Sequence, residues 1–375
     1  MPSYSGVWNL VSQMQAVAAG NWSGLPNLYA WGQNANGQLG LGDAINRSSP
    51  VQVGNLLTWA SMSGTTESSV AIKTDGTLWS WGQNAQGQLG LGNTTSYSSP
   101  KQVGALTDWL SVSGGTSGLF FVATKANGTL WAWGQNTSGQ LGQGNTTIRS
   151  SPVQIGALTE WLRASAGAEN VMAVRSNGTL WSWGLNSVGQ LGLGNITNYS
   201  SPKQVGALTN WTLVQCGTSN IVAVKTDGTL WSWGRNDDGQ LGLGNIIDYS
   251  SPKQVGALTT WSTISSGRAF VLAITTSNRL FVWGNNTSGE LGLGDATKRS
   301  SPVQVGALTD WAATDGGTSH SIAIKTNGTL WSWGLNSNGQ LGLGNTTSYS
   351  SPKQVGSLTT WARVSARGNR TLATG

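Results

Sequence analysis

Over most of its length the chain alternates short apolar runs with short runs of small polar residues, and the apolar runs have the length and residue types of strands. Segments such as SSVAIKTDGTLWSWG hold two β-branched or aromatic runs divided by Asp-Gly or Asn-Gly, the strongest local hairpin signal. That dipeptide stands at Asp75-Gly76, Asn127-Gly128, Asn177-Gly178, Asp227-Gly228 and Asn327-Gly328. A Gly-rich turn, NxxGQLGLGN, follows the Trp-bearing run, and its spaced glycines suit positive φ. Ser-Ser-Pro then opens a third run, KQVG or VQVG, with Pro at its start where no ladder donor is needed. A fourth short run follows a second Trp. Four strands per unit is the content of one propeller blade.

The unit recurs. Trp-Gly has its Trp at Trp31, Trp81, Trp133, Trp183, Trp233, Trp283 and Trp333, a period of 50 with one spacing of 52. A second Trp follows each by 28 residues, from Trp59 to Trp361. The strand inventory balances only if the C-terminal pair, Ala362 to Thr374, completes a blade begun by residues 28 to 54. That arrangement removes the free sheet edges. The expected fold is all-β, a seven-bladed β-propeller over residues 27–375, closed by N- and C-terminal strands that share a blade.

Residues 1–26 have a different period. Val7, Leu10, Val11, Met14, Val17 and Ala18 fall at i, i+3, i+4, i+7, i+10 and i+11, with Ser5 as N-cap and Gly20 as terminator. The spacing predicts an amphipathic helix, and about 14 residues of helix are marginal alone. It must dock, so Val7, Trp8, Leu10, Val11, Met14 and Val17 are the candidate anchor to a partner.

Composition narrows the chemistry. Of 375 residues only 9% are charged, against roughly 25% in ordinary soluble domains, so Asn, Gln, Ser and Thr must supply the polar surface. A hydrophobic content of 38% with 21 Trp is not a disorder composition. No run approaches the roughly 18 apolar residues of a membrane span. The opening MPSYSGVWNLVSQ lacks the basic region and apolar run of a secretory signal. Cys216 is the single cysteine, which excludes an intrachain disulfide framework.

Catalytic, metal and cofactor sites are not expected, and the chain does not read as an enzyme. Cys216 stands where other repeats have Gly64, Gly114, Ala166 or Ser266, a position that wants a small residue. His320, the single histidine, has Ser68, Asn170 and Asn220 as counterparts, which suggests a polar turn. Asp237-Asp238 falls in a Gly-rich turn with no second carboxylate placed opposite. Zinc is excluded by ligand count, and the Gly-x-Gly turns lead to no helix, unlike a phosphate loop.

The net charge of +6 raises the question of nucleic acid, but no basic run interleaved with aromatics exists, and none is expected as a partner. Lys73, Lys125, Arg175, Lys225 and Lys325 share one repeat position and read as a solvated ring near one mouth of the axis, with an anionic partner as the alternative. A second position switches in concert across Ser-Ser-Pro. Arg47, Arg149 and Arg299 accompany Val51, Val153 and Val303, whereas Tyr97, Tyr199, Tyr249 and Tyr349 accompany Lys101, Lys203, Lys253 and Lys353. Tyr over a Lys stem is one explanation; recent duplication of two repeat versions is the other. These seven Arg and Tyr residues are the candidate surface contacts.

The repeat LWSWGxNxxGQLGLGN…SSPxQV resembles the regulator of chromosome condensation repeat family across residues 28–374. The resemblance implies a seven-bladed propeller. It also implies a Gly-x-x-His-Ser element, kept here once at Gly317 to Ser321 with His320. The best-known activity in that family is guanine-nucleotide exchange, which uses a wedge inserted into one blade and a basic N-terminal tail; this chain has two extra residues between Trp109 and Trp133, and its first charged residue is Asp43. Other relatives are bacterial propellers that bind a protein partner through the loops of one face. Separately, YSGVWNLVSQMQAVAAGNW is similar to the opening of phage virion structural proteins that precedes surface-exposed domains. It implies a tail-associated, decoration or host-adhesion module, held to other virion proteins through residues 1–26, with a host-surface glycan or protein as its further partner. The alternative location is cytoplasmic or secreted in a bacterium.

Overall fold

The computed structural model describes residues 27–55, 58–116 and 118–375. The helical stripe expected from Val7 to Val17 lies outside the described residues. Seven four-stranded antiparallel sheets form the ring. In the second blade the strands Trp59–Gly64, Ser68–Lys73, Leu78–Gly82 and Tyr97–Gln102 pair in chain order, and the next five blades repeat this. The Trp59–Gly64 strand and its six equivalents touch one another from blade to blade, so they surround the axis. The Ser-Ser-Pro strand is the rim.

The first blade is built from both ends of the described chain. Its order is Arg47–Gln52, Leu28–Gly32, Arg370–Thr374 and Arg363–Arg367, with Leu28 opposite Thr374 and Gly32 opposite Arg370. The closure expected from strand counting is therefore present, and the first blade holds the same four strands as the others.

Burial is organised between blades rather than within them. Val70, Ile72 and Leu78 of the second blade pack with Trp109, Phe121 and Trp133 of the third, and six similar clusters complete the circle. Each Trp of Trp-Gly is fully buried and donates its indole N–H to a carbonyl of the preceding blade. Trp81 reaches Gln38 at 2.9 Å, Trp133 reaches Gln88 at 2.9 Å, and Trp183 reaches Gln140 at 2.9 Å. A buried indole N–H is costly unless paired, so one residue serves as both core and inter-blade staple. Gly40 shows how tightly it fits: φ is +76° and a Cβ there would lie 2.7 Å from Trp81 Nε1.

Two turns fix the rest. At the hairpin glycine Gly76, with φ +78°, a Cβ would lie 2.0 Å from the Thr107 carbonyl oxygen. The sixth blade has Asn278 there instead, at φ 58°, a conformation that Asn tolerates. The long Gly-rich turn is organised by a buried Asn. Asn84 Oδ1 accepts from the Leu89 N–H at 2.9 Å, while Nδ2 donates to the carbonyls of Asn93 and Thr95 at 3.0 and 2.9 Å.

Candidate functional site

Antiparallel order divides the loops between two faces. The long-loop face carries the connections from first to second strand and the long turns from third to rim strand, residues 83–96 in the second blade. The linker face carries the tight hairpins and the blade-to-blade linkers, residues 103–108 in that blade. Residue 27 enters the first blade on the linker face, and Asn27 and Gly375 exchange backbone hydrogen bonds there.

The seven candidate surface contacts sit at the start of the rim strand, at its long-loop end. All are half-buried, and most are engaged within their own blade. The Lys101 ammonium lies 5.3 Å from the Tyr97 ring centre, and Lys203–Tyr199, Lys253–Tyr249 and Lys353–Tyr349 repeat this at 5.3 to 5.4 Å. The paired switch in the sequence is thus a physical contact. The Arg version has a third member that the sequence reading missed. Arg47 pairs with Asp43 at 2.5 Å and Arg299 with Asp295 at 2.6 Å, where the Tyr blades carry Asn. Arg149 has Asn145 at that place. The signal was present four residues upstream of each switch position.

The expected solvated ring of cations is corrected. Lys73, Lys125, Lys225 and Lys325 are 5–8% exposed. Their stems lie along paired Trp rings; Lys225 Nζ is 3.6 Å from the Trp231 ring centre and 4.8 Å from that of Trp211. Lys125 and Lys325 also reach Asp108 and Asp310 at 3.1 Å, and Arg175 pairs with Glu160. The apolar stem packs and the head finds a ring face or carboxylate, so the position is a structural clamp at the linker face.

His320 is likewise not in a turn. It opens the buried strand His320–Lys325 and its Nε2 is 3.1 Å from Thr371 Oγ1 of the first blade. Burial pulls the imidazole pKa down to about 4, so it is neutral at pH 7. Cys216 is fully enclosed, and burial pushes its thiol up to about 12. That environment makes it an inert packing residue. Arg370, at the equivalent of His320 in the closing blade, was missed. It is buried and donates to the carbonyls of Thr65 and Thr66 at 2.7 and 2.9 Å, to the Ser68 carbonyl and to Ser69 Oγ at 3.1 Å. Burial and the neighbouring Arg367 bring its pKa down to about 9, which leaves it charged at pH 7. Arg367 pairs with Asp315 of the seventh blade at 3.0 Å. Arg367 and Arg370 therefore bind the closing blade to its two neighbours. The clue was their absence from the other repeats.

Asp237 and Asp238 lie on the long-loop face and are both paired, Asp237 with Arg235 at 2.5 Å and Asp238 with Lys298 of the next blade. Among the described residues no group of three His, Cys, Asp or Glu side chains converges as a metal site, and no helix is long and apolar enough to cross a membrane.

A ring of seven repeated blades, with its charged side chains mostly tied into them, is a repeat propeller with two loop faces. The regulator of chromosome condensation (RCC1) repeat model matches residues 27–72, 75–122, 127–174, 177–224, 227–274, 277–324 and 327–373, and the chain belongs to that family. The human WBSCR16 crystal structure is similar at 20% identity, with a TM-score of 0.83 over 93% of this chain and 98% of that one. Yeast RCC1 (Prp20), solved bound to Kap60, is similar at 19% identity with a TM-score of 0.83 over 94% of this chain and 89% of that one. Saccharomyces cerevisiae Prp20p, solved in work on its binding to Gsp1p and histones, is similar at 20% identity, with a TM-score of 0.81 over 94% and 92%. At these identities the likeness is one of fold. No curated protein matches the chain.

Proposed function

We propose that this RCC1-repeat propeller is a binding module displayed on a phage particle, joined to other virion proteins through residues 1–26 and presenting its long-loop face outward. The observation that carries the polarity is the position of residue 27 on the linker face. In the proposed arrangement the particle is joined on that side through Val7, Trp8, Leu10, Val11, Met14 and Val17. The linker face has an apolar surface: Leu106, Leu158, Leu208, Leu258, Leu308 and Leu358, one in each of six linkers, are 41–48% exposed. Relatives with the same fold support protein binding as the mode of action, since yeast Prp20 is described in complex with Kap60 and as binding Gsp1p and histones. A sparsely charged surface suits a particle that meets varying salt, because little of its stability depends on screened ion pairs.

The test is deletion of residues 1–21. The shortened chain should keep its circular dichroism and unfolding midpoint and be lost from purified particles. Incorporation at the full-length level would contradict the proposal.

A further inference from the structure

Two blade junctions open cavities of nearly equal size on the linker face. Between the fourth and fifth blades the volume is about 400 Å³, walled by Leu193, Val205, Leu208, Trp211, Trp231 and Pro252, with Lys225 also lining it. Between the sixth and seventh it is about 430 Å³, and Leu293, Val305, Leu308, Trp311, Trp331 and Pro352 hold the same repeat positions, with Lys325 in place of Lys225. Apolar and aromatic walls around one polar group are the usual make-up of a small-ligand site, and both volumes fall in the usual range of roughly 300–1,000 Å³.

The two cavities differ in charge. Lys325 is met by Asp310 at 3.1 Å, as Lys125 is by Asp108. At the fourth–fifth junction that position is the neutral Asn210, and Lys225 has no carboxylate within ion-pair distance among the described residues. Asp227, two residues on, is exposed on the hairpin and accepts from the Thr229 N–H and hydroxyl at 2.9 and 2.6 Å. Lys73, with Thr58 at the same place, is unpaired in the same way. Ring geometry records the difference. The unpaired ammoniums of Lys225 and Lys73 lie 3.6 and 3.9 Å from the Trp231 and Trp79 ring centres, whereas the paired ones of Lys125 and Lys325 lie 4.5 and 4.6 Å from those of Trp131 and Trp331.

An indole face attracts an ammonium but carries no net charge to neutralise it. Lys225 is 7% exposed, and burial pulls its pKa down against the opposing field of Asp227. A cavity with apolar walls therefore holds a buried cation that no carboxylate touches.

We infer that the fourth–fifth junction is a binding site for a small free carboxylic acid with an apolar body, its carboxylate on Lys225 and its body against Trp211, Trp231 and Leu208. The contact is charge-assisted, and the walls keep water from it. The sixth–seventh cavity is the control within the molecule, because Asp310 already occupies its ammonium. Nothing in this inference rests on the display reading.

The probe is phenylacetate, titrated into the full chain with backbone amide and Trp indole shifts read by NMR. Saturable shifts are expected around Leu208, Trp211, Lys225 and Trp231, and not around Leu308, Trp311, Lys325 and Trp331. Affinity should fall at least about tenfold for phenylacetamide, which lacks the charge, and for acetate, which lacks the apolar body. Two substitutions copy one junction onto the other. Asn210→Asp should weaken phenylacetate about tenfold without lowering the unfolding midpoint, and Asp310→Asn should bring saturable shifts to the Leu308 cavity. Lys225→Met keeps the wall and should bind acid and amide equally. Equal binding of acid and amide by the native chain, equal response of the two cavities, or no saturable shift would each overturn the inference. So would an acetyl-Gly-Gly-Phe peptide with a free carboxyl end that binds tenfold more tightly than phenylacetate, since the carboxylate would then belong to a chain end. Every titration uses the free chain, so its outcome is separate from particle incorporation.

Discussion

Trp31 donates its indole N–H to the Gln340 carbonyl at 3.0 Å, across 309 residues of sequence. It is the same bond that Trp183 makes to Gln140 between two blades adjacent in the chain. The junction made by the chain ends is therefore chemically equivalent to the internal ones. Trp31→Phe and Trp183→Phe should each lower stability by about 1–3 kcal/mol, the loss of one buried hydrogen bond plus some packing. Urea unfolding checks this. A cost for Trp31→Phe well below that for Trp183→Phe would mean that the ring frays at its closure.

The rim pairs predict a thermodynamic cycle. Tyr97 and Lys101 touch, and the alternative set is Asp-Arg-Val, as at Asp43, Arg47 and Val51. Lys101→Val alone should cost about 0.5–1 kcal/mol, the scale of an exposed cation–π contact. The triple change Asn93→Asp, Tyr97→Arg and Lys101→Val should restore most of it. Strict additivity of the separate changes in thermal unfolding would show that the pairs record ancestry without energetic coupling.

At the clamp position the stem and the head of the lysine contribute separately. Lys225→Met keeps the packing along Trp211 and Trp231 and removes the charge, so it should cost at most about 1 kcal/mol. Lys225→Ala removes both and should cost about 2–3 kcal/mol. Equal losses in a denaturant titration would assign the whole effect to the charge.

His320 gives the fold a pH dependence with a definite sign. Its folded pKa of about 4 lies below the usual 6.5, so the unfolded chain binds the proton more readily between these values. Its contribution is complete above pH 6.5 and is lost as pH falls toward 4, by about 3 kcal/mol at most. His320→Asn, which copies Asn170 and Asn220, should flatten stability over this window in chemical unfolding at stepped pH. A parallel decline in both proteins would assign the acid sensitivity to other groups.

Much of the ring was legible because its constraints are local and repeated seven times. A hairpin dipeptide, a turn glycine and a Trp period each leave a mark in sequence, and strand counting then requires a shared blade. Side-chain direction leaves no such mark. Lys73 and its equivalents read as solvated because a lysine next to a hairpin ordinarily is, whereas two Trp faces from neighbouring strands converge there only in three dimensions. His320 read as a turn residue because its counterparts are Ser and Asn, yet these too lie buried at the blade junctions. Arg367 and Arg370 break the repeat instead of following it, so a search for the period passes over them. The paired switch at the rim was visible because both members lie within four residues of each other.

The most direct measurement is maleimide labelling of intact particles that carry single-cysteine probes on the two faces. Cys216 is buried with its thiol pushed up to about 12, so it contributes no background. Thr346→Cys on the long-loop face and Leu308→Cys on the linker face are both at exposed positions and should label equally in the free chain. On particles, Thr346→Cys should label at the free-chain rate and Leu308→Cys should be protected at least tenfold. Protection of Thr346→Cys with a reactive Leu308→Cys, or equal labelling of both, would contradict a propeller attached through its linker face with its long loops turned outward.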